Sequence, residues 1–395
     1  MTKGNADFGL RTSDFGNSFH AVQSGFRIPK SEFRIPLCLA LVLLLPAGAL
    51  FARCPVSPNA TLIVHAPIGN LQVDTSGVDA VDVEITNSQV TAREVTCTPD
   101  LVEIEGTAPA QFTGTADWKI RVPKTVHLDM VTMGGNINMG DSDGNVTFRT
   151  TGGSVIVGNI GGKTAIITQG GFIKAGNIGG AAELRAKGGY LEVGNVAGAA
   201  ELETSGGPIR AGIVEGRVAA ETAGGNITVR EARGDVIATT LAGDISIGEA
   251  RQINARTAGG NITSRTVRGP FKGHTDSGDI RVDQVLGWIE ASTGQGNIFV
   301  KLAPTNLDGD LHVDLQTGVG DITFFMPERM RATVDISIQR PTFDTRRIIS
   351  DFPLNALAPS TSRSLTPLQT RSVLNGGGNA VKLHTSLGKI VFQKN

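Results

Sequence analysis

Aromatic side chains are scarce, 5% of 395 residues with two Trp and one Tyr, so a broad core of interlocking rings is excluded. Net charge is almost absent: 36 Lys and Arg stand against 37 Asp and Glu. A chain so balanced lacks the electrostatic footprint of nucleic-acid or anionic-membrane binding. Only three cysteines occur, and no Cys-x-x-Cys, which leaves no support for a cysteine zinc site. Cys38 lies in an apolar N-terminal run. Cys54 and Cys97 remain, either as one disulfide in an oxidising compartment or as two free thiols. No apolar run reaches the roughly 20 residues of a membrane-spanning helix.

Glycine is plentiful, at 51 residues. It does not recur every third residue, so collagen is excluded. Instead the phrase Thr-x-x-Gly-x-Ile/Leu/Val returns about every 18 residues between Thr132 and Val300. Its threonines are Thr132, Thr150, Thr168, Thr204, Thr222, Thr240, Thr257, Thr275 and Thr293, with Ala186 replacing one. The interval from Gly243 to Gly260 is 17, as if a glycine were lost between Arg251 and Gln252. A fixed period of this length marks a solenoid.

Within a period the parity is that of strands. Apolar pairs such as Val155/Val157 and Ile227/Val229 follow the glycine, and a second set such as Val218/Ala220 precedes the next threonine. Mid-period glycines (Gly162, Gly180, Gly198) separate the two. The chain therefore reads as all-β: a parallel β-solenoid, or β-helix, of about ten or more 18-residue coils with a β-rich N-terminal cap and a looped C-terminal cap. The threonine methyls are expected in the core with their hydroxyls bonded from one threonine to the next. Outward columns are expected to pair charges, as in Lys174, Glu192 and Arg210.

The organisation follows the repeat. Residues 1–52 read as a signal peptide or N-terminal anchor, with Arg27, Lys30 and Arg34 ahead of an apolar run and Ala47, Ala49 and Ala52 offering cleavage after Ala49 or Ala52. The stretch ahead of the run is long for a signal, so a start placed too far upstream and an uncleaved anchor are the alternatives. Residues 53–116 form the N-terminal cap, 117–325 the solenoid, and 326–395 a C-terminal cap with a Pro/Ser/Thr-rich loop, in which the last strand closes the solenoid.

Trp118-Lys-Ile-Arg-Val-Pro123, Gly134-Gly-Asn-Ile137, Gly318-Val-Gly-Asp-Ile322 and Asn375-Gly-Gly-Gly378 make the chain, from about residue 60 to 395, resemble the bacterial putative-adhesin domain family. That family is a domain of unknown function, and the resemblance implies an exported parallel β-solenoid with no catalytic residues to carry over.

Several surface features are candidates for binding. Arg233, Arg251 and Arg268 share one outward position of successive coils, with Arg230 and Arg265 three residues before two of them. These arginines form a candidate anion-binding strip for acidic glycans or phosphates, opposed by Glu231 and Glu249. Phe172, Tyr190 and Trp288 are candidate sugar-stacking rings. Asn136, Asn226, Asn261 and Asn297, with Asp244, Asp279 and Asp321, are expected to bond their own turns; the calcium-roll nonapeptide and the P-loop spacing are both absent.

No nucleophilic triad can be assembled, and His65, His127, His274, His312 and His384 look scattered. Stacked carboxylates, Glu183/Glu201 and Glu203/Glu221, are what a solenoid polysaccharide enzyme would need, but Arg185 sits among them. The expectation is an exported, non-enzymatic, adhesin-like protein, located in the periplasm, on the outer surface or secreted, that binds a cell-surface or envelope polymer without a cofactor. It is expected to bind no nucleic acid and to meet a membrane only through an uncleaved N-terminal segment. The alternatives are a periplasmic scaffold for a protein partner and, third, a polysaccharide-active β-helix enzyme.

Overall fold

A computed structural model describes residues 41–44, 50–75, 77–86, 89–110, 114–339, 347–355 and 367–395. The chain divides into units 1–39 and 40–395, and all described residues belong to the second. Most of the apolar run, and most of the Pro/Ser/Thr-rich loop, lie outside the described residues.

The fold is a parallel β-solenoid. Each coil gives one strand to each of two long open sheets, and strands in neighbouring coils pair in parallel at matching repeat positions. The first sheet holds the short strands after the repeat glycine, such as Val155–Val157; the second holds those ending in the threonine, such as Thr164–Thr168. Setting aside antiparallel strands at the ends, each sheet contains fifteen stacked strands among the described residues. At about 4.8 Å per rung the rod is roughly 67 Å long. The missing residue of the short period is the counterpart of Gly234, for Asp235 pairs with Gln252 and Glu231 with Glu249.

The cross-section has a third, shorter side that the sequence reading did not register. Ser142, Ile160, Ile178, Val196 and Val214 form a ladder of parallel bridges between the two sheets, and all five are buried. Valine, isoleucine, alanine and threonine fill this narrow interior. Large rings join them at a few rungs: Trp118 towards one end, Phe148 and Phe271 within the repeat, and Phe324, Phe392 and Phe352 stacked towards the other end.

The threonine column differs from expectation. In register, consecutive threonines lie one strand spacing apart, about 4.8 Å, which is too far for a hydroxyl-to-hydroxyl hydrogen bond. Instead each hydroxyl donates to the carbonyl of the repeat glycine in the rung before: Thr150 to Gly135 at 3.0 Å, Thr222 to Gly207 at 2.9 Å and Thr275 to Gly260 at 2.9 Å. The same oxygen accepts the N–H of its own repeat glycine, as Gly225 N to Thr222 at 3.2 Å. Threonine thus fastens rung to rung through glycine. Thr222→Val, which keeps the shape and removes both bonds, should cost about 1–3 kcal/mol, whereas Ala186→Thr, which supplies the absent hydroxyl to Gly171, should raise stability by about 1 kcal/mol. Urea denaturation of the two variants checks both signs.

The ends are interlaced. Thr61–Ala66 and Asn70–Asp74, the first rung in the chain, lie between the rung of Leu101–Thr107 and Asp117–Arg121 and that of His127–Thr132 and Ile137–Met139. The last rung, Asn379–Leu387 with Ile390–Lys394, is likewise inserted between Val313–Val319/Ile322–Met326 and Ala332–Ile338/Ile348–Ser350. The final strand therefore does not close the solenoid; it sits one rung inside. Rungs accordingly extend into both flanks of the 18-residue repeat. Beyond them, reversed strands interrupt the parallel stacking and cover edges that would otherwise template further chains: Ala80–Thr86 and Thr91–Cys97 at one end, Leu368–Leu374 at the other. Cys54 and Cys97 are disulfide-bonded, with Cα atoms 5.7 Å apart. The bond joins Leu50–Pro55, in the first sheet, to Thr91–Cys97, in the second.

Candidate functional site

Outward side chains stand in columns, and most columns satisfy themselves. Asn226, Asp244, Asn261, Asp279 and Asn297 each accept the backbone N–H of the equivalent residue in the next rung, at 2.6–2.9 Å. These side chains bind between rungs and do not close their own turns as expected. A second ladder, which sequence reasoning missed, runs through Asp141, Asn159, Asn177 and Asn195. Its signal was present as an Asn recurring two residues before each Gly-Gly or Ala-Gly pair. Among the described residues no group of three or more His, Cys, Asp or Glu could hold a metal ion.

Phe172 and Tyr190 occupy the first amide column where it lacks Asn and Asp. Their rings stack at 4.6 Å and 6°, so each covers one face of the other. Trp288 stacks on His312 at 5.1 Å. Phe299 and Phe325, which the sequence reading passed over, meet on the outward face of the first sheet, with the Arg281 guanidinium 4.1 Å above Phe299. Their outward parity after Gly296 and Gly320 was the available signal.

The arginine strip is assembled, and each of its members has a partner. Arg233 pairs with Glu215 at 3.1 Å, Arg251 with Asp235, Arg265 with Glu249 at 3.9 Å, and Arg268 with Glu249 at 3.0 Å and Glu231 at 4.0 Å. Arg230 donates to Asn195 Oδ1 at 2.9 Å. Opposite charges one rung apart thus cancel much of the field an anion would feel. The acidic face behaves similarly. Arg185 bridges Glu183 at 2.9 Å and Glu203 at 3.1 Å, while burial and the neighbouring Glu203 hold the Glu221 carboxyl above the usual carboxylate range. Its ionised form opposes folding, an effect relieved as pH falls through that raised value.

One place on the second sheet differs. There the column beside the buried threonines reads His274, Ser292, Gln316, His384 and Ser337 on five consecutive rungs. Ser292 Oγ lies 2.7 Å from His274 Nδ1, and His274 Nε2 lies 3.1 Å from Asp276 Oδ1. Ser337 Oγ lies 2.6 Å from His384 Nδ1. Two residues past Ser292 and Gln316 come Gly294 and Gly318, and the absent side chains open a trough of about 370 Å³. Its walls are His274, Asp276, Gln339, His384 and Ser386. The carboxylate of Asp276 fixes the Nε2–H tautomer, which leaves Nδ1 to accept the Ser292 proton. Serine, histidine and aspartate are the residue types of a nucleophilic triad, yet the strand Ile289–Gln295 is laddered to neighbours on both sides. Both registers run through Ser292 and Thr293 and leave out Gly294. The scattered histidines of the sequence are thus partly gathered, because the interlaced last rung carries His384 into the column.

No family model matches this chain, and no curated protein does. Among solved structures it is similar to a putative cell adhesion protein from Clostridium sporogenes, at 8% identity and a TM-score of 0.17, over 87% of this chain and 99% of that one. Among the described residues no helix is long and apolar enough to cross a membrane.

Proposed function

We propose that this is an exported, non-enzymatic, adhesin-like protein that presents a rigid, repetitive surface to a cell-surface or envelope polymer. The observation that carries this reading is the register: outward columns keep their alignment from rung to rung, with one shift between Val282 and Val285, and are braced by inter-rung hydrogen bonds and ion pairs. Such a rod holds groups at fixed spacing without paying ordering entropy on binding. Export rests on the N-terminal run. Cleavage after Ala49 would leave the strand Leu50–Pro55 whole, whereas cleavage after Ala52 would remove its first three residues. The paired arginines favour an uncharged polymer, since an acidic one would have to displace Glu215, Asp235 and Glu249.

Fractionation of tagged full-length protein, N-terminal sequencing of the mature form and binding of that form to whole cells test the reading. A mature chain beginning at Leu50 or Arg53, saturable cell binding and retention on heparin resin unchanged by Arg233→Gln, Arg251→Gln and Arg268→Gln together are the expected results. Release of new reducing or unsaturated sugar ends, or labelling of Ser292 by a fluorophosphonate, would replace it with an enzymatic reading.

A further inference from the structure

We infer that the glycine-floored trough on the second sheet is a subsite for a short run of uncharged, polyhydroxylated sugar, an inference that rests on the polymer-binding reading above. The trough is formed by absence of side chains in one column and fixed polarity in the next. Gly294 and Gly318 supply its floor, and neither can be replaced without contact: a Cβ on either would lie 2.5 Å from the carbonyl oxygen of the rung before. From His274 to His384 the column spans three rung intervals, roughly 14 Å, the length of a short oligosaccharide.

The lining selects the ligand class. Ser292, Gln316, Gln339, His384 and Ser386 each offer a donor, an acceptor or both, and no Lys, Arg or Glu lines the trough. Its one charged group, Asp276, is turned onto His274 at 3.1 Å. An anionic polymer would meet a carboxylate and no cation, and a peptide anchored by apolar side chains would find no apolar pocket. A sugar hydroxyl both donates and accepts, which matches such a wall group for group. Ser292 Oγ and His274 Nδ1 lie 2.7 Å apart, and with Asp276 on His274 Nε2 the serine hydroxyl keeps acceptor capacity for a ligand, while the Gln316 amide, with one hydrogen bond to Asp314 Oδ1 at 2.8 Å, keeps its second N–H as a donor. Two Ser–His pairs, Ser292–His274 and Ser337–His384, flank Gln316; the first carries Asp276 on its second ring nitrogen, and of the second only His384 lines the trough. A repeating polymer can engage both.

The larger grooves are less suited. One of about 580 Å³ is lined by the Asp141–Asn195 ladder, whose oxygens already accept backbone N–H groups, one of about 460 Å³ mixes alanines with the charged Lys163, Glu183 and Glu201, and one of about 480 Å³ carries the charged Asp117 and Lys119.

Calorimetric titration of the mature, full-length chain with maltotriose, cellotriose and N-acetylated chitotriose tests the inference. Saturable binding of at least one is expected, weakened about tenfold or more by Ser292→Ala with His384→Ala and by Ser386→Trp, which fills the trough. Both variants change outward residues and should stay folded, with a melting temperature lowered by no more than a few degrees, and the Arg→Gln triple variant should bind as wild type does. Unchanged affinity in either folded variant would overturn the inference. So would failure of all three sugars to bind a chain that still adheres to cells, and in that case the adhesin reading stands without it; a chain that binds neither cells nor sugars defeats both.

Discussion

Gly225→Ala is expected to remove about 3 kcal/mol or more of stability, while Gly224→Ala, one residue earlier, changes it by less than about 0.5 kcal/mol. The two glycines look alike in sequence. A Cβ on Gly225 would stand 2.1 Å from the carbonyl oxygen and 2.3 Å from the carbonyl carbon of Gly207, backbone atoms that cannot rotate away. On Gly224 the nearest atom is the Gly206 oxygen, at 3.5 Å, an ordinary contact. Relief at Gly225 would require the rungs to separate. That would also lengthen the Thr222 hydroxyl bond to Gly207 and strip the backbone ladder on either side. Because each rung contacts chiefly its neighbours, the defect should appear first as faster amide exchange in strands 209–214, 218–222 and 227–232. Urea denaturation with hydrogen exchange on the paired variants decides it, and equal losses for the two would show that the close approach of glycine to carbonyl is not what limits this position.

Replacing both members of the Cys54–Cys97 pair by alanine should produce the second largest effect. The bond closes a loop of sequence separation 43, for which chain entropy alone gives about 4 kcal/mol, within the usual range of about 2–5. It ties an outer strand of one sheet to the outermost strand of the other, across the mouth where the rod ends. Its loss should free the strands of residues 50–107 together with Asp117–Arg121, which pairs only with them, and leave the rungs from His127 onward as protected as before, since the linkage between rungs is local. Hydrogen exchange with and without reductant measures this. Uniform loss of protection along the rod would mean that the cap and the solenoid unfold as one cooperative unit.

Much of the architecture could be read from residues because a solenoid makes each period solve the same packing problem. Thr150, Thr168 and Thr222 signal the rung, Val155/Val157 its parity and Gly153 its tight stacking, and all recur at fixed intervals. The third ladder was within reach too, since Ile160, Ile178 and Val196 recur just as regularly. Bonds along the rod were harder. Whether a threonine hydroxyl reaches a threonine or a glycine carbonyl depends on rung spacing, and a sequence carries no distances. The arginine strip was visible as a column; that Glu215 and Asp235 would answer it was not, because their side chains reach across columns.

The sequence by itself determined that this chain is a stack of β coils with a narrow interior of small apolar side chains and threonines, since periodic local pattern dictates periodic local structure. Only the tertiary structure decided the ends and the trough. Inserting the first and last rungs one place inward reorders segments that lie far apart in the chain: His384 comes to stand between Gln316 and Ser337, whereas chain order would set Ser337 beside Gln316. Such non-local pairing is chosen by which open strand edge best accepts a strand, and no short window of residues contains that choice.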